Sequence, residues 1–207
     1  MRDKKIYIVI ISLVIISIFA FVKFKKGEDI KNYPSGGTHI IAFGDSLVYG
    51  VGASSRENNF VSILSKRIGE PIINLGVSGN TTGDGLSRIK ELDGYDPKIV
   101  ILLLGGNDYL RKIPKEETFN NLAKIIENIQ SRGAIVLLLG VRGGIVSDEY
   151  KNEFEILSKK YKTAYVPNVL SGLLTNQKYM ADAIHPNDEG YRIIADKIYP
   201  VLKKVMD

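Results

Sequence analysis

Four short stretches carry residue types that acyl-transfer chemistry would need. "HIIAFGDSLVYGVG" (39–52) runs an apolar stretch into Gly44, Asp45 and Ser46. "NLGVSGN" contains Gly79, "GGND" contains Asn107, and "DAIHP" contains Asp182 and His185. A serine nucleophile needs a general base and donors for a developing oxyanion. Ser46 alone reads equally as a cap on the next helix. The chain has two histidines, and His39 falls at the start of the first apolar run, away from Ser46. His185 is therefore the available imidazole base; otherwise it is a surface loop residue. Asp182, three residues earlier, can accept from one ring nitrogen and fix the tautomer, or be a solvated turn residue. Asn107 offers a neutral amide donor, or is a turn asparagine. Gly79 offers a backbone N–H, and a left-handed turn role there is compatible with that. Each feature alone is weak, but together they form the set that acyl transfer requires.

Composition excludes several other chemistries. There is no cysteine, so disulfides, thiolate metal sites and a cysteine nucleophile are ruled out. Two histidines leave no room for a site of several imidazole ligands. A Walker A loop, a strand-linked G-x-G-x-x-G and a G-x-S-x-G elbow are all missing, which argues against nucleotide binding and the α/β-hydrolase fold. Net charge is +5 over 207 residues. Residues 1–37 hold seven basic and three acidic side chains, so most of that charge lies ahead of the domain. Nucleic acid is therefore not an expected partner.

The N-terminal segment reads separately. "IYIVIISLVIISIFAFV" (6–22) has no charge and is flanked by Arg2, Lys4 and Lys5 before it and Lys23, Lys25 and Lys26 after it. As a helix it would span roughly 25 Å, which snorkelling lysines extend towards a hydrocarbon core. A cleaved signal would want an A-x-A-like site, and none precedes "KFKK". A core helix would show a polar face. Residues 1–24 are expected to be a membrane anchor or uncleaved signal helix, with the domain outside the cytoplasm. Residues 25–38, "KKGEDIKNYPSGGT", read as a linker with a flexible reach of roughly 20 Å.

The elements that must position the chemistry follow from residue 39. "HIIAF", "IINL", "IVILLL", "AIVLLLG" and "AYVP" are short, apolar and rich in β-branched residues, as buried parallel strands are. Between and after them, "NNFVSILSKRIG", "KEETFNNLAKIIENIQSRG", "DEYKNEFEILSKKY" and "DEGYRIIADKIYPVLKKV" place apolar residues at helical spacing. The expected fold for residues 39–207 is a three-layer α/β/α sandwich on a five-stranded parallel sheet. Function in such sheets sits beyond the carboxyl ends of the strands, where the four stretches fall.

The blocks "GDSL", "SGN", "GGND" and "DAIHP", in that order, resemble those of the SGNH (GDSL-type) hydrolases. The likeness spans about residues 39–205 and is nearest to the bacterial multifunctional thioesterase, lysophospholipase and arylesterase branch. The resemblance implies a triad of Ser46, Asp182 and His185. It also implies an oxyanion hole of the Ser46 N–H, the Gly79 N–H and the Asn107 side chain, with no metal or cofactor. The implied activity is hydrolysis of carboxylic esters or thioesters, with a small acyl ester or lipid as substrate. An O-acetyl esterase acting on surface glycans shares every one of these residues. A non-enzymatic flavodoxin-like binding module would not need them.

Overall fold

The five apolar runs form the five expected strands in a computed structural model that describes residues 29–144 and 148–206. They are β1 (His39–Gly44), β2 (Ile72–Gly76), β3 (Pro97–Leu103), β4 (Ile135–Leu139) and β5 (Ala164–Val166). All pair in parallel, in the order β2-β1-β3-β4-β5. Strand order reverses between β1 and β3, so the crevice of this doubly wound sheet opens beyond Gly44 and Leu103. β3 and β4 are buried on both faces almost throughout, which explains their unbroken Ile, Val and Leu.

Among the described residues seven helices follow in chain order: α1 (Ser46–Tyr49), α2 (Phe60–Ile68), α3 (Thr82–Ser87), α4 (Gly106–Leu110), α5 (Lys115–Ser131), α6 (Lys151–Tyr161) and α7 (Asp188–Met206). α2 packs on α7, while α5 packs on α3 and α6. Phe60, Leu64, Leu122, Ile125, Ile126 and Ile129 are buried, as their spacing predicts. One connection departs from the long amphipathic pattern. β2 reaches β3 through the six-residue α3 and a 3₁₀ turn over residues 89–94. α3 is held by a capping box between Thr81 and Asp84, and Gly85 lets it press on Leu104.

The expected anchor, residues 1–24, lies outside the described residues. Among the described residues no helix is long and apolar enough to cross a membrane. The second half of the expected linker is docked rather than free. Asn32 Nδ2 donates to the Gln130 and Ala134 carbonyls at 2.8 and 2.9 Å, and the Lys31 N–H donates to the Lys162 carbonyl at 2.9 Å. The reach of a flexible chain therefore does not apply to residues 29–38.

Two glycines decide how closely α1 sits on the strand ends. A Cβ at Gly44 would lie 2.2 Å from the Leu103 carbonyl oxygen and 2.6 Å from Val48 Cγ2. One at Gly76 would lie 2.2 Å from the Tyr49 nitrogen. Gly44→Ala is expected to lower stability by about 1–3 kcal/mol, because backbone in the central ladder must move. Thermal melts test this at about 2–4 °C per kcal/mol for a chain of this size; an unchanged melting temperature would show that the strand end yields.

Candidate active site

Ser46 is the first residue of α1, immediately beyond β1, and is 8% exposed. The cap of that helix is Asp45, whose Oδ1 accepts the Leu47 N–H at 2.9 Å. The capping role that the sequence left open for Ser46 therefore belongs to its neighbour. A first-turn N–H has no intrahelical acceptor, so the Ser46 amide remains available beside its own hydroxyl.

His185 arrives from the far end of the chain. Its Nε2 lies 3.0 Å from Ser46 Oγ, and its Nδ1 lies 2.7 Å from Asp182 Oδ2. Asp182 Oδ1 accepts the N–H groups of Ile184 and His185, both at 2.8 Å. The segment is thus folded around its own carboxylate, and a bridge between Met180 and Pro186 closes its base. The Ile184 N–H, then the His185 ring, hold the Asp182 carboxyl down to about 2. It is therefore an ionised acceptor at neutral pH, which assigns the Nδ1 proton and leaves Nε2 to accept from Ser46. His39 lies at the opposite end of β1, beside Thr38 and Asp96, and takes no part.

The donor side is stitched across two loops. Asn107 Nδ2 donates to the Asn80 carbonyl at 2.9 Å, which fixes the amide and leaves its second N–H. Arg111 Nη2 donates to the Gly79 carbonyl at 2.8 Å. Gly79 has φ 82°, so it occupies the left-handed turn and borders the residue that Asn107 holds. All five sequence-derived site residues therefore gather at the switch point of the sheet. Among the described residues no cluster of three His, Asp or Glu could hold a metal ion.

Four further residues hold the site together and are not among the five candidates that the sequence named. Arg88 Nη2 donates to the carbonyls of Gly44 and Leu75, its Nε donates to Asn80 Oδ1 at 2.6 Å, and its guanidinium stacks 4.0 Å from the Phe43 ring. It binds the ends of β1 and β2 to the loop that carries Gly79. Asp108 is fully buried and accepts from both the N–H and the hydroxyl of Thr82, joining α4 to α3. Asp188 accepts from Ser54 N and Oγ at 2.8 and 2.6 Å and from Asn58 Nδ2 at 3.0 Å. This clamp ties the loop after α1 to the start of α7, just beyond His185. Asp45 is 2% exposed, and burial, its dominant influence, pushes its carboxyl up to about 7. The acids of "GGND" and "HPND" were visible signals; nothing in the sequence around Arg88 distinguishes it from a surface arginine.

Beside Ser46 and His185 opens a cavity of about 150 Å³, walled by Leu110, Val141, Leu170, Leu174 and Ile184. That is the volume of an engineered cavity that holds benzene.

Asp45 gives a pH test. Its carboxyl rises on folding, so the native state keeps a proton that the unfolded chain has lost between about pH 4 and 7. Native binding exceeds unfolded binding there, so this group's contribution to stability falls as pH rises through that window and levels off above it. Asp45→Asn is expected to flatten that decline in urea midpoints measured from pH 4.5 to 7.5; identical slopes would remove Asp45 as its source. The clamp gives a kinetic test. Asp188→Ala is expected to lower kcat about ten- to a hundredfold through misplacement of His185, with Asp188→Asn retaining part. Equal kcat in all three proteins would make the clamp irrelevant to the imidazole.

The GDSL-like lipase/acylhydrolase family profile matches residues 42–193. The esterase TesA of Pseudomonas aeruginosa is 30% identical over 179 residues, covering 81% of this chain and 89% of that protein. The arylesterase of Vibrio mimicus is 31% identical over 177 residues, 80% of this chain and 88% of that protein. The crystal structure of TesA superposes with a TM-score of 0.76 at 30% identity, over 81% of this chain and 99% of that one.

Proposed function

We propose, from the premise that this chain belongs to the GDSL-like lipase/acylhydrolase family and is a serine carboxylic ester hydrolase, that Ser46 is its nucleophile. The observation that carries the assignment is the run from Ser46 Oγ through His185 to Asp182, at 3.0 and 2.7 Å. In the reaction His185 Nε2 takes the Ser46 proton as Oγ adds to the substrate carbonyl. The carbonyl oxygen becomes an oxyanion and is received by the N–H groups of Ser46 and Gly79 and the free N–H of Asn107. Collapse expels the alcohol, which takes the proton from Nε2. A water then gives its proton to Nε2 as it adds to the acyl group, and Nε2 returns that proton to Ser46 Oγ as the acid leaves. Asp182 stays ionised throughout and stabilises the imidazolium formed twice in each cycle.

The apolar cavity supports an acyl or aryl group larger than acetyl on one side of the scissile bond. A thiolate leaving group suits the same site, since none of the proposed steps requires protonation of an amine. Longer chains would run out over Leu110 and Ile184, which are 53% and 40% exposed.

The test is turnover of p-nitrophenyl esters from acetyl to palmitoyl by the full chain and by Ser46→Ala. Loss of the nucleophile is expected to cut kcat by a factor on the order of 10⁴–10⁶. The parent should show its highest kcat/KM above acetyl. Turnover by Ser46→Ala near that of the parent sinks the assignment, while a strict acetate preference moves the reading to a glycan O-acetyl esterase.

A further inference from the structure

Arg142 lies in the "VRGG" loop after β4 and lines the same cavity as Ser46, Asn107 and His185. Its Nε–H is buried and has no hydrogen-bond partner. None of the ion pairs formed among the described residues includes it. The contrast with the other arginines near the site is sharp. Arg88 holds two carbonyls and an amide oxygen, and Arg111 holds the Gly79 carbonyl.

A guanidinium has five donors and no acceptor, and it keeps its charge at every working pH. A buried N–H group costs free energy until an acceptor pairs with it. Around it, Val141, Leu170 and Leu174 offer no compensating oxygen from their side chains. Asp45 is the single carboxyl among the described residues that line the cavity; it is engaged by the Leu47 N–H and lifted to about 7 by burial. Below that pH it gives Arg142 little negative charge to pair with. A cation presented to an apolar cavity attracts an anion more strongly than it would in water.

We propose that Arg142 receives an anionic group carried by the ester itself, so that preferred substrates bear a carboxylate or phosphate within reach of the scissile carbonyl. This rests on the assignment of Ser46 as nucleophile. The anion can belong to the acyl half or to the alcohol half, and the shared chemistry is an oxyanion facing a guanidinium. Arg142 is then a specificity residue that touches substrate remote from the reacting bond.

Two matched pairs of esters test it with the full chain. The acyl-side pair is mono-p-nitrophenyl adipate against its methyl p-nitrophenyl diester. The alcohol-side pair is 1-hexanoylglycerol 3-phosphate against 1-hexanoylglycerol. The parent is expected to favour the anionic member of at least one pair by about 10- to 100-fold in kcat/KM, as for one charged hydrogen bond. Which pair shows the preference identifies the half that carries the anion. Arg142→Met should collapse the ratio to within about threefold, and Arg142→Lys should keep part of it, since lysine retains the charge without the fork. A structural role alone would lower both members of a pair together and leave the ratio intact. Absence of preference in both pairs, or a preference untouched by Arg142→Met, overturns the proposal. A fluorophosphonate probe reports on Ser46 independently. Labelling with no Arg142-dependent preference overturns only this proposal; failure to label Ser46 overturns the hydrolase assignment and this proposal with it.

Discussion

The contact between Ser46 Oγ and His185 Nε2 joins residues 139 apart in sequence, and much of the domain serves to hold it. Neither partner can be placed by local structure alone. Ser46 is fixed because β1 is a central strand and α1 rides directly on its end over Gly44 and Gly76. His185 is fixed because its segment folds around Asp182 and is fastened to the other side of the crevice. That fastening is a small polar interface: Asp188 on Ser54 and Asn58, and the Tyr191 hydroxyl on the Val51 carbonyl at 2.7 Å. Gly52 allows the approach, since a Cβ there would lie 2.4 Å from the Pro186 oxygen. Hydrogen bonds of this kind contribute modestly to net stability but are strongly directional, which suits them to positioning.

Three aspartates around the site show how environment sets the state of one side-chain type. Asp182 is half exposed and accepts two backbone N–H groups and an imidazole, which hold its carboxyl at about 2. Asp188 is also lowered, first by the Ser54 hydroxyl and then by the Ser54 N–H. Asp45 has one backbone donor and almost no solvent, so desolvation outweighs that donor and raises it to about 7. Number of donors against loss of water accounts for the ordering. The site therefore keeps its charge at the rim and a weakly acidic, capping carboxyl beneath the serine.

The fold and the five proposed site residues were legible because their signals are local. Strand runs of Ile, Val and Leu, helices with a 3.6-residue stripe, and polar loops between them report burial directly. The short β2–β3 crossover was less legible, because α3 is glycine-rich and draws its hold from a capping box and from Asp108 rather than from an apolar stripe. Arg88 was illegible for a different reason. Its acceptors are carbonyls of Gly44 and Leu75 and the Asn80 side chain, and two of those three come from other elements. Docking of residues 29–38 likewise depends on carbonyls of Gln130, Ala134 and Lys162 that no linker composition reveals.

By itself the sequence determined the layer architecture, the family likeness and the residue types available for acyl transfer. Those follow from side-chain period and from chemistry that only a few residues possess. Tertiary structure alone decided that Asp45 rather than Ser46 caps α1, so that the serine hydroxyl is free to meet the imidazole. It also decided that Arg142 enters the cavity without an acceptor while Arg88 is consumed by backbone carbonyls. The physical reason is that a polar side chain's role is set by which partners the fold brings within hydrogen-bond reach. Here those partners lie up to 140 positions away, beyond any local pattern.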